Sequence, residues 1–202
     1  MLFHGYGADG ADLAPLAFEL DLPKPARWLF PDAPLAMGEF GGRLWFPIDV
    51  QDVDRAQRTG ASVDWSDREM DAMGEARQAA FGFLKALDAP WSSLILGGFS
   101  QGSMLALELA LRAPQSPRGL AILSGNLVDQ KSLRALAPKR QGLPFFQSHG
   151  LADPILGFQG ALRLEKLLLE CGLEGSLLKF EGGHAISNEA LAGLRAFLTR
   201  LI

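Results

Sequence analysis

Gly98-Phe99-Ser100-Gln101-Gly102 sets a serine between two glycines, after the apolar run Ser93 to Leu96 and before a helical segment rich in Leu and Ala. The G-x-S-x-G pattern is weak by itself in a chain with 23 glycines. Its place between a strand and a helix strengthens it. There the serine backbone makes a sharp, strained turn, the glycines let strand and helix cross closely, and the hydroxyl stands free at a helix N-terminus. The competing reading is a glycine-rich turn that cradles a phosphate through free N–H groups. Neither a dinucleotide spacing nor a P-loop spacing is present, so nucleophilic catalysis is the better expectation.

A serine hydroxyl needs a base to take its proton, and the chain has three histidines, His4, His149 and His184. His184 follows the last β-rich run in Glu181-Gly182-Gly183-His184-Ala185, where a loop can carry it over the sheet edge. It is the preferred base. His149 directly follows Phe145 to Ser148 and is read as hydrogen-bonded within its turn, and His4 as shaping its own loop. The imidazole in turn needs a carboxylate to fix its tautomer. Asp153, bracketed by Gly150 and Pro154, is the choice, and Asp129 is the runner-up, with the simpler role of starting a short helix near Lys131. The order Ser, Asp, His is that of α/β-hydrolases.

Acyl transfer also needs donors aimed at the oxygen that becomes negative. Gln101 N–H, next to the serine, is one candidate. Tyr6 N–H, in the glycine-rich loop His4-Gly5-Tyr6-Gly7-Ala8-Asp9-Gly10, is the second. Trp45, Phe46, Leu151, Ile155 and Leu156 fall in loops expected at the C-terminal edge of the sheet, where open α/β folds bind ligands. They are the candidates for an acyl-binding wall.

These residues require a scaffold of parallel strands. Short β-rich runs at Met1 to Phe3, Arg27 to Phe30, Ser93 to Leu96, Leu120 to Leu123, Phe145 to Ser148 and Ser176 to Phe180 alternate with helical periodicity, the pattern of βαβ units. Ser66-Asp67-Arg68-Glu69 reads as a capping box ahead of Met70, Met73, Ala80, Leu84 and Leu87. Further helices are expected over Phe158 to Cys171 and from Ser187 onward. The segment after Gln101 is apolar on nearly every side, so that helix should be buried all round. Pro31 to Thr59 reads as a long surface excursion.

At 202 residues and 48% apolar, the chain is expected to form a single α/β domain, residues 1–202, with a full core and no large lid. A net charge of -4 leaves no electrostatic footprint for nucleic acid or anionic lipid. The longest uncharged run, Ala89 to Leu107, contains Pro90 with several glycines and serines, which suits a strand, turn and buried helix better than a membrane span. No charged and apolar leader opens the chain, and the one cysteine, Cys171, reads as a buried small hydrophobe, so a cytoplasmic location is expected. Met1-Leu2-Phe3 opens inside a strand; a bare sheet edge there would favour a homodimer.

The sequence resembles the carboxylesterase and phospholipase family of serine α/β-hydrolases that includes the acyl-protein thioesterases. The resemblance covers nearly the whole chain and rests on Leu2-Phe3-His4-Gly5-Tyr6-Gly7, Phe30-Pro31-Asp32-Ala33-Pro34, Trp45-Phe46, Gly97-Gly98-Phe99-Ser100-Gln101-Gly102, Leu123-Ser124-Gly125, His149-Gly150-Leu151-Ala152-Asp153-Pro154 and Gly183-His184. It implies a mostly parallel, doubly wound sheet and Ser100, Asp153 and His184 as a triad. Tyr6 and Gln101 would be the oxyanion donors, with no metal or organic cofactor. The expected activity is hydrolysis of short- to medium-chain acyl esters. Acyl thioesters and lysophospholipids are the alternative substrates, and a non-catalytic binding protein on the same fold is the rival of another class.

Overall fold

The computed structural model describes residues 1–38, 41–49, 51, 55, 58–59, 64–68 and 72–202. Five parallel strands form the central sheet: β1 (Leu2–Phe3), β4 (Ile95–Phe99), β5 (Gly119–Leu123), β6 (Pro144–Gly150) and β7 (Glu174–Phe180), hydrogen-bonded in that order. A small antiparallel pair, β2 (Leu35–Ala36) and β3 (Arg43–Leu44), lies in the segment expected as a loop. Because the five strands are parallel, the chain leaves each of them at one common edge of the sheet.

Two helical layers cover the sheet. On one face lie α3 (Met73–Ala86), α4 (Gln101–Arg112) and α6 (Phe158–Glu170), packed through Met73, Leu84, Leu105, Leu109, Leu164 and Leu168. On the other, α1 (Gly10–Leu13), α2 (Leu16–Glu19) and α7 (Asn188–Leu201) bury Leu13, Leu16, Leu194 and Phe197 against Leu123 and Phe146. The short α5 (Gln130–Leu136) follows β5. Every α4 residue from Gln101 to Leu111 is buried, as the all-round apolar pattern predicts. Its one acid, Glu108, is neutralised by Arg77 at 3.1 Å and Arg112 at 2.6 Å.

Several boundaries differ from the sequence reading, each for a local reason. Arg27 to Phe30 forms no strand: it runs beside β1 with the Leu2 N–H donating to Leu29 O at 2.9 Å, and Trp28 stacks on Phe30. The edge expected to be bare is thereby partly covered. The predicted strand at Ser93 begins only at Ile95, since Trp91–Ser93 closes a 3-10 turn in which Ser93 Oγ donates to Pro90 O. Ser66 does not cap α3; its N–H and hydroxyl both donate to Asp64 Oδ1, and the helix starts at Met73. Glu69 and Met70 of that expected helix start lie outside the described residues. Within the expected surface excursion, Ala33, Trp45 and Phe46 are buried in the core. Cys171 ends α6 ahead of Gly172, whose φ of +85° suits only glycine, and is partly rather than fully buried.

Candidate active site

Ser100 sits at the crossing from β4 to α4 with φ 53° and ψ -121°, a conformation that costs a non-glycine residue about 1–3 kcal/mol. The surroundings hold it there. Its N–H donates to Leu123 O at 2.9 Å, and its carbonyl accepts from Ser103 N at 3.0 Å and Ser103 Oγ at 2.7 Å. The flanking glycines are required by close approach: a Cβ on Gly102 would overlap the Phe3 and His4 carbonyl oxygens, and one on Gly98 would overlap the Gly102 carbonyl. The Ser100 hydroxyl itself makes no hydrogen bond among the described residues. It opens instead onto a cavity of about 280 Å³ shared with His184, Gly5, Tyr6 and Gln101.

His184 leaves β7 on the Glu181–Gly183 turn, and its ring lies 4.9 Å from that of Phe99. Its Nδ1 is 2.7 Å from Asp153 Oδ2, with the carboxylate fully buried and the imidazole 13% exposed. Asp153 Oδ1 accepts the N–H groups of Ile155 and Leu156, both at 2.9 Å, and His149 Nε2 lies 3.2 Å from Oδ2. Burial alone would raise the Asp153 pKa. The hydrogen bonds from His149 and His184, the charge of His184 and the Leu156 N–H outweigh it and hold the carboxyl well below its usual range. Ser124 Oγ donates to Ala185 O at 2.8 Å and so ties the histidine loop to the end of β5, a tether that sequence patterns did not reveal.

The loop after β1 is held from behind. His4 is fully buried, with Nδ1 2.7 Å from Gly5 O and Nε2 accepting from Ala33 N at 3.0 Å, the loop-shaping role read from the sequence. Gly7 N donates to Arg43 O at 2.8 Å, which anchors the loop to β3. Among the described residues no carbonyl accepts the Tyr6 N–H. The Gln101 N–H, in the first turn of α4, has no acceptor within its own helix either.

The other expected site residues divide. Phe46, Ile155 and Leu156 line the cavity together with Ile48, Trp65, Phe99 and Met104. Trp45 does not: its ring is buried against Phe3 and His4, and its Nε1 donates to His4 O at 2.9 Å. Leu151 is 41% exposed and also lies off the cavity. Trp45 is the sequence neighbour of lining residue Phe46 but turns the other way, and Leu151 lies four residues ahead of lining residue Ile155. Asp129 caps α5, its Oδ1 accepting from Ser132 N at 3.1 Å, and does not line the cavity. Of the lining residues that sequence reasoning missed, Met104 could have been found, because it lies one helical turn beyond Ser100. Ile48 and Trp65 are brought in by tertiary packing.

Gln101 also has a second role. Its side-chain Oε1 accepts from Trp45 N at 2.8 Å and its Nε2 donates to Phe46 O at 2.7 Å, so one buried amide clamps the Phe46 wall to the elbow. Gln101→Leu should leave both backbone groups unpaired at about 1–3 kcal/mol each, read as a lower urea midpoint.

Over residues 1–202 the sequence matches the phospholipase/carboxylesterase family. The chain belongs to that family. Its α/β-hydrolase fold is shared by relatives and solved structures of similar length. Acyl-protein thioesterase 1 of Eremothecium gossypii is 27% identical over 214 residues, covering 98% of this chain and 85% of that protein. The crystal structure of Arabidopsis thaliana SOBER1, a carboxylesterase by name, superposes with a TM-score of 0.76 at 26% identity over 98% of this chain and 96% of its own. That of esterase PE8 superposes with a TM-score of 0.84 at 28% identity, covering 100% and 91%. Among the described residues of this family member, no helix is long and apolar enough to cross a membrane.

Proposed function

We propose that residues 1–202 form a single domain that hydrolyses carboxylic esters through a covalent acyl-enzyme. The observation that carries this reading is the strained Ser100 elbow opening on the same apolar cavity as His184, whose far ring nitrogen is bonded to buried Asp153 at 2.7 Å. With Asp153 holding the proton on Nδ1, His184 Nε2 is free to accept the Ser100 proton as Oγ attacks the acyl carbon. Tyr6 and Gln101 N–H groups receive the developing oxyanion. The imidazolium then protonates the leaving alcohol, and the same ring activates water to release the acid. Ser100 Oγ has no hydrogen-bond partner among the described residues, as is common for catalytic pairs before substrate is seated.

Phe46, Ile48, Ile155, Leu156 and Met104 supply the apolar wall, and the cavity volume of about 280 Å³ suits short to medium acyl chains. A nitrophenyl ester series measures this. Each added methylene should raise kcat/KM severalfold, at about 0.8 kcal/mol per buried CH₂, up to a maximum at intermediate length. A maximum at acetate overturns the acyl-wall assignment. A steady rise through palmitate with cleavage of palmitoyl thioesters establishes instead the second reading, an acyl thioesterase or lysophospholipase, which the thioesterase relative favours. Failure to cleave any of these esters would leave a binding protein.

The proposal includes a cytoplasmic setting, which suits a chain with one unpaired cysteine. It also includes a homodimer, although residues 27–30 partly cover the β1 edge at which that pairing is expected. A sedimentation coefficient that stays at the value of a monomer as protein concentration rises would remove the dimer.

A further inference from the structure

His149 has a fully buried side chain at the end of β6, four residues before Asp153. Its Nε2 lies 2.5 Å from Leu156 O and 3.2 Å from Asp153 Oδ2. Both are acceptors, so Nε2 carries the ring proton. Its Nδ1 is buried with no partner among the described residues. A proton on Nδ1 would be a buried N–H with nothing to accept it, so the Nε2-protonated tautomer is the one the site fits.

We propose that His149 is a positioning residue for the Asp153–His184 pair: its Nε2–H donates one forked hydrogen bond to Leu156 O and Asp153 Oδ2, fixing the carboxylate and sharing the oxygen that His184 uses. The inference rests on the hydrolase reading for its kinetic consequences, but not for its geometry. Oδ2 serves two ring N–H donors and Oδ1 two backbone N–H donors, so the carboxylate cannot rotate without breaking bonds on both sides. The negative charge that Oδ2 offers His184 is reduced by the share given to His149.

The charged and titratable groups around this ring are few. Asp153 faces it and His184 lies beyond Asp153. Across the β6–β7 register His149 is paired with Lys179, whose ammonium lies 5.8 Å over the Phe158 ring, itself 6.3 Å from the His149 ring. From α6, Glu165 is engaged by the Leu177 N–H at 2.7 Å. Glu181 follows β7 and is exposed.

His149→Leu removes the shared donor and His149→Gln keeps an N–H near the Nε2 position. In His149→Leu, Oδ2 offers its full charge to the His184 imidazolium, so the acid limb of kcat/KM should move up by about 0.5–1 pH unit. The plateau kcat should fall about tenfold with KM within twofold, because the carboxylate has lost its tether. His149→Gln should restore both the limb and most of kcat. A merely structural histidine would lower the melting temperature of His149→Leu and leave the limb where it was, and that result overturns the proposal. An arm independent of activity and of the variants' folding is nitrogen NMR of the wild-type imidazole rings at neutral pH, which reads the tautomer. The expected result is a His149 ring carrying its proton on Nε2; a His149 protonated on Nδ1 overturns the proposal. Absence of a fluorophosphonate adduct at Ser100 would overturn the hydrolase reading alone, with the NMR result still deciding the role of His149.

Discussion

Ser100→Ala is expected to abolish ester hydrolysis, with a fall of about 10⁵–10⁶ in kcat and no change in fold. The variant deletes one atom, the hydroxyl oxygen, which makes no hydrogen bond among the described residues. Ala also keeps the Cβ, so it accepts the strained φ of 53° as Ser does, and the Leu123 and Ser103 bonds to the elbow backbone persist. Stability should therefore stay within about 0.5 kcal/mol of wild type. His184→Ala should remove as much activity, because nucleophile and base act as a unit, and the double variant should lose little more. It is the less clean of the two. Without the imidazole, the buried Asp153 carboxylate loses a donor at 2.7 Å, which should cost about 1–3 kcal/mol. A fluorophosphonate probe should label wild-type Ser100 and neither variant. Activity within about tenfold of wild type in either variant would contradict the triad assignment.

The residues tested by those variants were legible because the chemistry is written in short, local patterns. Gly98 to Gly102 encodes a backbone crossing that only glycines permit, and the Phe3 and Gly102 carbonyls now show the close approach behind that requirement. The alternation of β-rich and helical runs was similarly legible, since a parallel sheet buried on both faces leaves near-continuous apolar strands such as Gly119–Leu123. What escaped was set by contacts distant in sequence. The Arg27 to Phe30 run has strand-like composition, but it sits beside a two-residue β1 that offers it one bond. Pro- and Gly-rich residues 31–49 looked like a surface loop because a β2–β3 pair of two residues each has no detectable period, yet Phe46 is a cavity wall. Gln101 read as a backbone donor only. Its side chain reaches a segment 55 and 56 residues away, a relation no local spacing can announce. Likewise, Trp45 and Phe46 are adjacent and both aromatic, and only the packing tells which one faces the cavity.

Asp153→Asn separates the proposed acid from its runner-up and should have the next largest effect. The Asp153 carboxylate accepts four N–H donors, from Ile155 and Leu156 on Oδ1 and from His184 and His149 on Oδ2. An amide has one acceptor oxygen, so its NH₂ must face two of those donors whichever way it turns. Turned toward the loop, it opposes the Ile155 and Leu156 N–H groups and loosens the segment that carries two cavity residues. Turned toward the histidines, it makes His184 Nδ1 an acceptor and moves the ring proton to Nε2, facing the serine. That tautomer cannot take the Ser100 proton, and kcat should fall by about 10⁴. Stability carries a second signature. The Asp153 pKa is depressed in the folded state, so the carboxylate contributes stability that is fully present above its ordinary value of about 3.9 and is lost as the pH falls from there through the folded value. The asparagine has no such titration. The difference in urea stability between wild type and Asp153→Asn should therefore be largest at neutral pH and shrink by pH 3. Asp129→Asn is the matched control: asparagine caps a helix as well as aspartate does, so α5 should hold, with activity within about twofold of wild type. If Asp129→Asn lost activity and Asp153→Asn kept it, the base would be oriented by Asp129. The 2.7 Å bond from His184 to Asp153 would then be only structural.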